Sequence, residues 1–210
     1  MSFENVLKNQ REFFIKGNTK SIDFRLKKLK KLKAGIEKYE KSLNYALYKD
    51  LHKSKFESYA TEIGYIYKSI SYTIENLDKW MKKEKVKMPI YQKDSKGYYI
   101  NEPYGSALII SPFNYPFQLL IDPLIGALAA GNTAFLKPSR LTPNVNKILE
   151  IIINENFDDE CIYFVKPEKG ITSQLTKMDF DYIFFTGSTY VGKKVMEAAS
   201  QNLVPITLEL

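Results

Sequence analysis

Residues 105–137 read GSALIISPFNYPFQLLIDPLIGALAAGNTAFLK. The run Ala107–Ile110 is short and wholly apolar, and the polar Ser111-Pro112 closes it. That is the pattern of a strand buried on both faces. A helix-like segment, Phe117–Ala130, follows and stops at Gly131, a residue suited to the position just past a helix end. Thr133–Leu136 is a second apolar run of the same kind. Strand, helix, strand is the unit from which a parallel sheet is wound.

The alternation continues to the end of the chain. Apolar runs Cys161–Val165, Tyr182–Phe185 and Ile206–Leu208 are separated by helix-like segments Pro143–Asn156, Ile171–Lys177 and Thr189–Ser200. Pro143 fits a first helical position, and Thr142 is expected to cap that helix. Residues 104–210 therefore read as a Rossmann-like, doubly wound α/β domain. Upstream, residues 1–88 read as helix after helix. One is capped by Ser21 or Asp23 and runs to about Lys49. Another covers about Lys55 to Lys82, with Tyr59, Ile63, Ile66 and Ile70 at helical spacing. Trp80, the only tryptophan, is expected in the core. Residues 89–103 (PIYQKDSKGYYINEP) are expected to form a β-hairpin turning at Asp94-Ser95-Lys96-Gly97, an arm between two parts of the fold.

Composition narrows the class. Hydrophobic residues are 44% and charged residues 26% of the 210, which describes neither a disordered nor a fibrous chain. The net charge of +7 is concentrated before Pro89, above all at Lys27, Lys28, Lys30, Lys31 and Lys33. Leu26, Leu29, Leu32, Ile36, Tyr39 and Leu43 run through that basic stretch at helical spacing, so the lysines read as a solvated helix face. A surface for anionic cofactors, RNA or lipid headgroups is the alternative, and RNA binding would be strongly salt-dependent. The main reading has no nucleic-acid partner. One cysteine excludes an internal disulfide framework and a multi-cysteine metal site, and the lone histidine, His52, argues against the usual zinc and Ser-His-Asp arrangements. The start, MSFENVLKNQRE, has no signal-peptide core, and Phe117–Ala130 is too short to span a bilayer. A cytoplasmic protein is expected.

Ligands of open parallel sheets bind beyond the carboxyl ends of the strands. Five places qualify: Ser111-Pro112-Phe113-Asn114, Lys137-Pro138-Ser139-Arg140, Lys166-Pro167, Thr186-Gly187-Ser188 and Glu209. No GxGxxG follows a strand, and the P-loop spacing of Gly126 and Gly131 is followed by Asn132 where a lysine is required. Thr186-Gly187-Ser188 ends a strand and opens a helix, where free N–H groups favour an anion. It reads equally well as a glycine turn with a serine cap.

Four stretches, SPFNYPF (111–117), AAGNTAFLKPS (129–139), FFTGSTYVGKKVMEAA (184–199) and PITLEL (205–210), stand in the order and spacing of aldehyde dehydrogenases. The chain resembles that family through nearly all its length. It is most similar to the class 3 group, which includes fatty and aromatic aldehyde dehydrogenases. The resemblance implies NAD or NADP as cofactor, an aldehyde as substrate and a carboxylic acid as product. In that family a cysteine thiolate attacks the aldehyde. Asn114 matches the asparagine that donates to the oxyanion, a contact worth about 3–4 kcal/mol. Glu209 matches the glutamate that activates water, a role served by a partly buried carboxylate. Lys137 matches the ribose-binding lysine, and Gly187 and Ser188 match the turn beside the pyrophosphate. Ser111, Pro112, Phe113, Ser139 and Arg140 complete the implied cofactor contacts.

Three departures carry consequences. Phe113 stands where tryptophan is more usual, which keeps an aromatic wall. Arg140 stands where many NAD-preferring members carry a glutamate for the ribose hydroxyls. An arginine cannot accept those bonds but can pair with a 2′-phosphate, so NADP is expected to be tolerated or preferred. Finally, Leu210 falls at the start of the family's ELGG segment, so a chain truncated there lacks the nucleophile and the catalytic domain. It is then expected to be inactive alone, and the homodimer expected of a full-length form would need that missing part. Cys161 opens a buried strand and has no base beside it, so it reads as structural. A non-catalytic nucleotide-binding or interaction module using the same cleft is the alternative.

Overall fold

The computed structural model describes residues 2–210. Its centre is a five-stranded parallel sheet of β3 (Ser106–Ile110), β4 (Thr133–Lys137), β5 (Ile162–Phe164), β6 (Tyr182–Thr186) and β7 (Ile206–Glu209), in the order β5-β4-β3-β6-β7. The chain leaves β3 in one direction through β4 and β5, then returns to its other side for β6 and β7. The order reverses at β3, so a crevice opens beside its carboxyl end.

Alternate residues of the strands feed opposite cores, as a pleated sheet requires. Ile109, Ala134, Leu136, Ile162 and Phe164 join a core with α2 (Ile22–Leu51), α4 (Gly64–Trp80), α5 (Gln118–Ala130) and α6 (Pro143–Asn156). Leu108, Ile110, Phe135, Ile183 and Phe185 face the other way. They pack with α1 (Phe3–Ile15), α7 (Ile171–Leu175) and α8 (Thr189–Ser200). Both faces are covered, which is why the strands read as unbroken apolar runs.

The N-terminal helices are built largely as the sequence suggests. Ser21 caps α2 by accepting the Phe24 amide at 3.2 Å, and Leu29, Leu32, Ile36 and Leu43 are fully buried. Two of the lysines expected on the solvated face are not there. Lys28 is buried, with its ammonium over the Phe24 and Phe157 rings, and Lys33 donates to Ser71 at 3.1 Å. The helical run from Lys55 is interrupted. A short α3 (Lys55–Ser58) passes into a π-helical turn, Tyr59–Ile63, before α4 begins. The Gly64 amide bonds the Tyr59 carbonyl across that turn, and a Cβ at Gly64 would lie 2.8 Å from the same carbonyl.

Three expectations are corrected. The arm's strands are β1 (Glu84–Val86) and β2 (Gly97–Tyr99), joined by a 3-10 turn at Ile90–Gln92, so the arm starts before Pro89 and Gly97 lies in a strand. Charged Glu84 and Lys85 conceal that first strand from an apolar-run reading. Trp80 is 39% exposed against Tyr72 rather than in the core, because it sits in the last turn of α4. Thr142 occupies the N-cap position of α6, but its hydroxyl is buried without a partner. The Asp50 carboxylate, from the end of α2, accepts the Asn144 and Val145 amides at 3.3 and 2.8 Å instead.

Candidate functional site

A cleft of about 810 Å³ lies at the carboxyl ends of β3, β4, β6 and β7. Four of the five places selected from sequence meet there. Ser111, Pro112, Phe113 and Asn114 form one wall, with Lys137 beside them, and Thr186, Gly187, Ser188 and Glu209 form the other. Hydrogen bonds between the strand ends fix this arrangement. The Ser111 amide donates to the Lys137 carbonyl at 3.2 Å, and the Gly187 amide donates to the Glu209 carbonyl at 3.0 Å. Lys166 is elsewhere, exposed and paired with Glu150 at 3.4 Å.

Each wall offers a different chemistry. Asn114 is exposed in the loop between β3 and α5, and its side-chain amide has no hydrogen bond among the described residues. Glu209 is also exposed, with its carboxylate accepting from the Thr186 hydroxyl at 2.9 Å. These residues alone do not supply the partial burial expected of a water-activating base. Burial pushes the Lys137 ammonium below the usual lysine range, and the neighbouring charge of Arg140 lowers it further. The Ser111 hydroxyl is buried with no partner.

A Cβ at Gly187 would lie 2.7 Å from the Phe185 ring, so a larger residue there would have to displace that ring. Ser188 caps α8 through its hydroxyl, which accepts the Val191 amide at 3.4 Å. The cap reading of that serine is therefore realised, while the Thr189 and Tyr190 amides of the first turn remain available to an anion.

Ser139 and Arg140 are not among the lining residues. The Ser139 hydroxyl accepts the Leu141 amide at 3.3 Å within its own turn, and its carbonyl accepts from Asn146. Arg140 is exposed just outside the cleft, close enough to influence Lys137.

Sequence reasoning missed Leu119, Thr172, Val191 and Leu210, which also line the cleft. It also missed a second cavity of about 680 Å³ between α7 and α8, which shares Thr172 and Val191 with the first. Further back, Glu62 of the π turn is fully buried and accepts the Phe117 and Gln118 amides at the start of α5. Its place four and eight residues before Ile66 and Ile70 put a carboxylate on an apolar helix stripe, the signal that could have revealed it.

Cys161 is buried, and its thiol is pushed up to about 11, chiefly by burial. No cluster of three or more metal-binding side chains occurs among the described residues, and no helix there is long and apolar enough to cross a membrane.

Comparison with known proteins agrees with the fold. The chain is 50% identical to the 4,4'-diaponeurosporen-aldehyde dehydrogenase of Staphylococcus aureus over 99% of its own length and 45% of that protein's. It is 44% identical to aldehyde dehydrogenase family 3 member B1 of Rattus norvegicus, over 100% of this chain and 45% of the relative. The chain thus spans about 45% of the length of these curated relatives. The solved substrate-bound state of Staphylococcus aureus AldH superposes with a TM-score of 0.98 at 50% identity, covering 100% of this chain and 46% of that one. A betaine aldehyde dehydrogenase from Staphylococcus aureus, solved with NAD+, gives 0.86 at 26% identity, covering 99% and 41%. The aldehyde dehydrogenase family pattern matches residues 3–210, and the chain belongs to the aldehyde dehydrogenase family.

Proposed function

We propose that this chain is the cofactor-binding part of an NAD(P)+-dependent aldehyde dehydrogenase that oxidises an aldehyde to a carboxylic acid. The observation that carries this reading is the convergence of Asn114, Lys137, Gly187, Ser188 and Glu209 on one cleft. The residues suit a dinucleotide. A buried hydroxyl without a partner (Ser111), a desolvated ammonium (Lys137) and a helix start behind a glycine turn are donors waiting for acceptors. Its relative from Staphylococcus aureus carries NAD+ on the same fold.

The bound nicotinamide supplies a hydride acceptor. Lys137 donates to the adenine-side ribose, and the Gly187-Ser188 turn lets the backbone approach the pyrophosphate. The second cavity shares Thr172 and Val191 with the cleft and presents Val195 and Ala198 of α8 to a flat ring. Asn114 donates its free amide to the oxygen that gains charge when the aldehyde carbon is attacked. That donor acts without rearranging at the moment of reaction, which makes it effective. Glu209 takes a proton from the hydrolytic water, and the Thr186 hydroxyl orients its carboxylate.

Arg140, just outside the cleft, pairs with a 2′-phosphate, so NADP+ is accepted. Cys161 does not serve as nucleophile, and residues 1–210 alone bind cofactor without turning over aldehyde. A homodimer is the assembly expected of the longer form. The exposed Ile90 and Tyr91 of the arm, at 88% and 82%, support contact with another chain there. The test is a cofactor titration beside an assay of aldehyde-dependent NAD(P)H formation. Binding without turnover supports the proposal, and turnover abolished by Cys161→Ala would overturn it.

A further inference from the structure

Behind the Asn114 loop lies an ion pair that the cofactor reading does not use. Lys53 Nζ is 2.6 Å from Glu62 Oε1, with side-chain exposures of 8% and 0%. Burying two charges costs several kcal/mol per ion unless every remaining donor and acceptor is engaged. Here they are. Lys53 also donates to the Asn114 carbonyl at 2.8 Å and lies over the Tyr115 ring at 3.9 Å. The second oxygen of Glu62 accepts the Phe117 amide at 2.9 Å and the Gln118 amide at 3.2 Å. The pair therefore grips the segment 114–118 at both ends: a carbonyl before Pro116 and the first amides of α5 after it.

The pair is assembled by two local devices. Lys53 stands in the connection between α2 and α3, after His52 in a left-handed conformation (φ 55°). Glu62 is carried by the π turn that Gly64 permits. Such turns re-aim side chains within a helix and recur at functional sites.

We propose that Lys53 and Glu62 are positioning residues that hold the Asn114 backbone so that its exposed amide is aimed before substrate arrives. The inference rests on the reading of Asn114 as the oxyanion donor. Asn114 itself has no other anchor among the described residues, since its side chain is free and exposed. A hydrogen bond to the carbonyl of that same residue is the shortest available route for fixing its orientation.

The test is a set of variants, Lys53→Met, Glu62→Gln and the two combined, with Asn114→Ala beside them. Lys53→Met strands a buried carboxylate and lowers Tm. The combined variant removes both charges while leaving an amide oxygen for the Phe117 and Gln118 amides, so it regains most of that Tm. In the 210-residue chain, the backbone order parameters of Asn114 and Tyr115 fall in the combined variant from about 0.85 to below about 0.6. In the full-length polypeptide, kcat for aldehyde oxidation falls about 10- to 100-fold with the NAD(P)+ KM unchanged, the scale expected of a misplaced group. Adding the combined change to Asn114→Ala lowers kcat no further, because the two act through one group. Unchanged order parameters in the combined variant, or recovery of kcat together with Tm, would overturn the inference. A normal kcat in Asn114→Ala would instead overturn the reading of Asn114.

Discussion

The Ser111 amide donates to the carbonyl of Lys137 at 3.2 Å, so the two strand ends that face the cleft are bonded to each other one residue beyond the strand pairing of β3 and β4. Lys137 is thereby held where burial and Arg140 lower its pKa. A lysine with a lowered folded-state pKa binds fewer protons folded than unfolded, so its charged form opposes folding below that pKa. Relative to Lys137→Met, stability should rise as pH climbs from the folded pKa toward 10.5. The same variant should raise Tm at pH 7, because it removes the desolvated charge that opposes folding there. Calorimetry across pH checks both statements; a destabilised Lys137→Met would contradict them.

Asp50 replaces Thr142 as the cap of α6, bonding the Asn144 and Val145 amides from the end of α2. Asp50→Ala should cost about 1–2 kcal/mol in urea unfolding, the usual range for a lost helix cap. Thr142→Val should be neutral or stabilising, because the Thr142 hydroxyl is buried with no partner. The reverse ranking would restore Thr142 as the cap.

What the sequence made legible was local. Each parallel strand is a buried apolar run, and Pro143 and Gly131 mark helix boundaries by their own backbone chemistry. The cleft followed from topology, because strand ends must converge once the sheet is parallel. Asp50 was hidden because its capping partners stand 94 and 95 residues away. The Lys53–Glu62 pair spans only nine residues, yet its meaning depends on a loop 52 residues beyond Glu62. The arm's first strand was hidden for another reason: Glu84-Lys85-Val86 has no apolar pattern, and pairing alone makes it a strand.

The Cys161 thiol, held at about 11 mainly by burial, should resist alkylation at pH 8 and react readily once urea unfolds the chain. Its folded pKa is raised, so the stability it contributes is fully present below the ordinary thiol value of 9.0 and lost as pH rises through about 11. Thiol titration with and without urea is the check. Fast labelling of the folded chain would show that the thiol is not sealed in the core.

Arg140 stands exposed beside Lys137, outside the lining of the cleft. Arg140→Glu should shift preference from NADP+ toward NAD+ by about 10- to 100-fold, the range of one charge-assisted hydrogen bond gained or lost. Parallel titrations with both cofactors measure the ratio. An unchanged ratio would remove Arg140 from cofactor selection.

The most direct measurement is isothermal titration of NADP+ into residues 1–210 and into the Lys137→Met variant. Saturable one-site binding, weakened at least about 10-fold by Lys137→Met, is the result expected if the cleft at the strand ends holds the dinucleotide. Binding of equal strength in both proteins, or no binding to either, would contradict it.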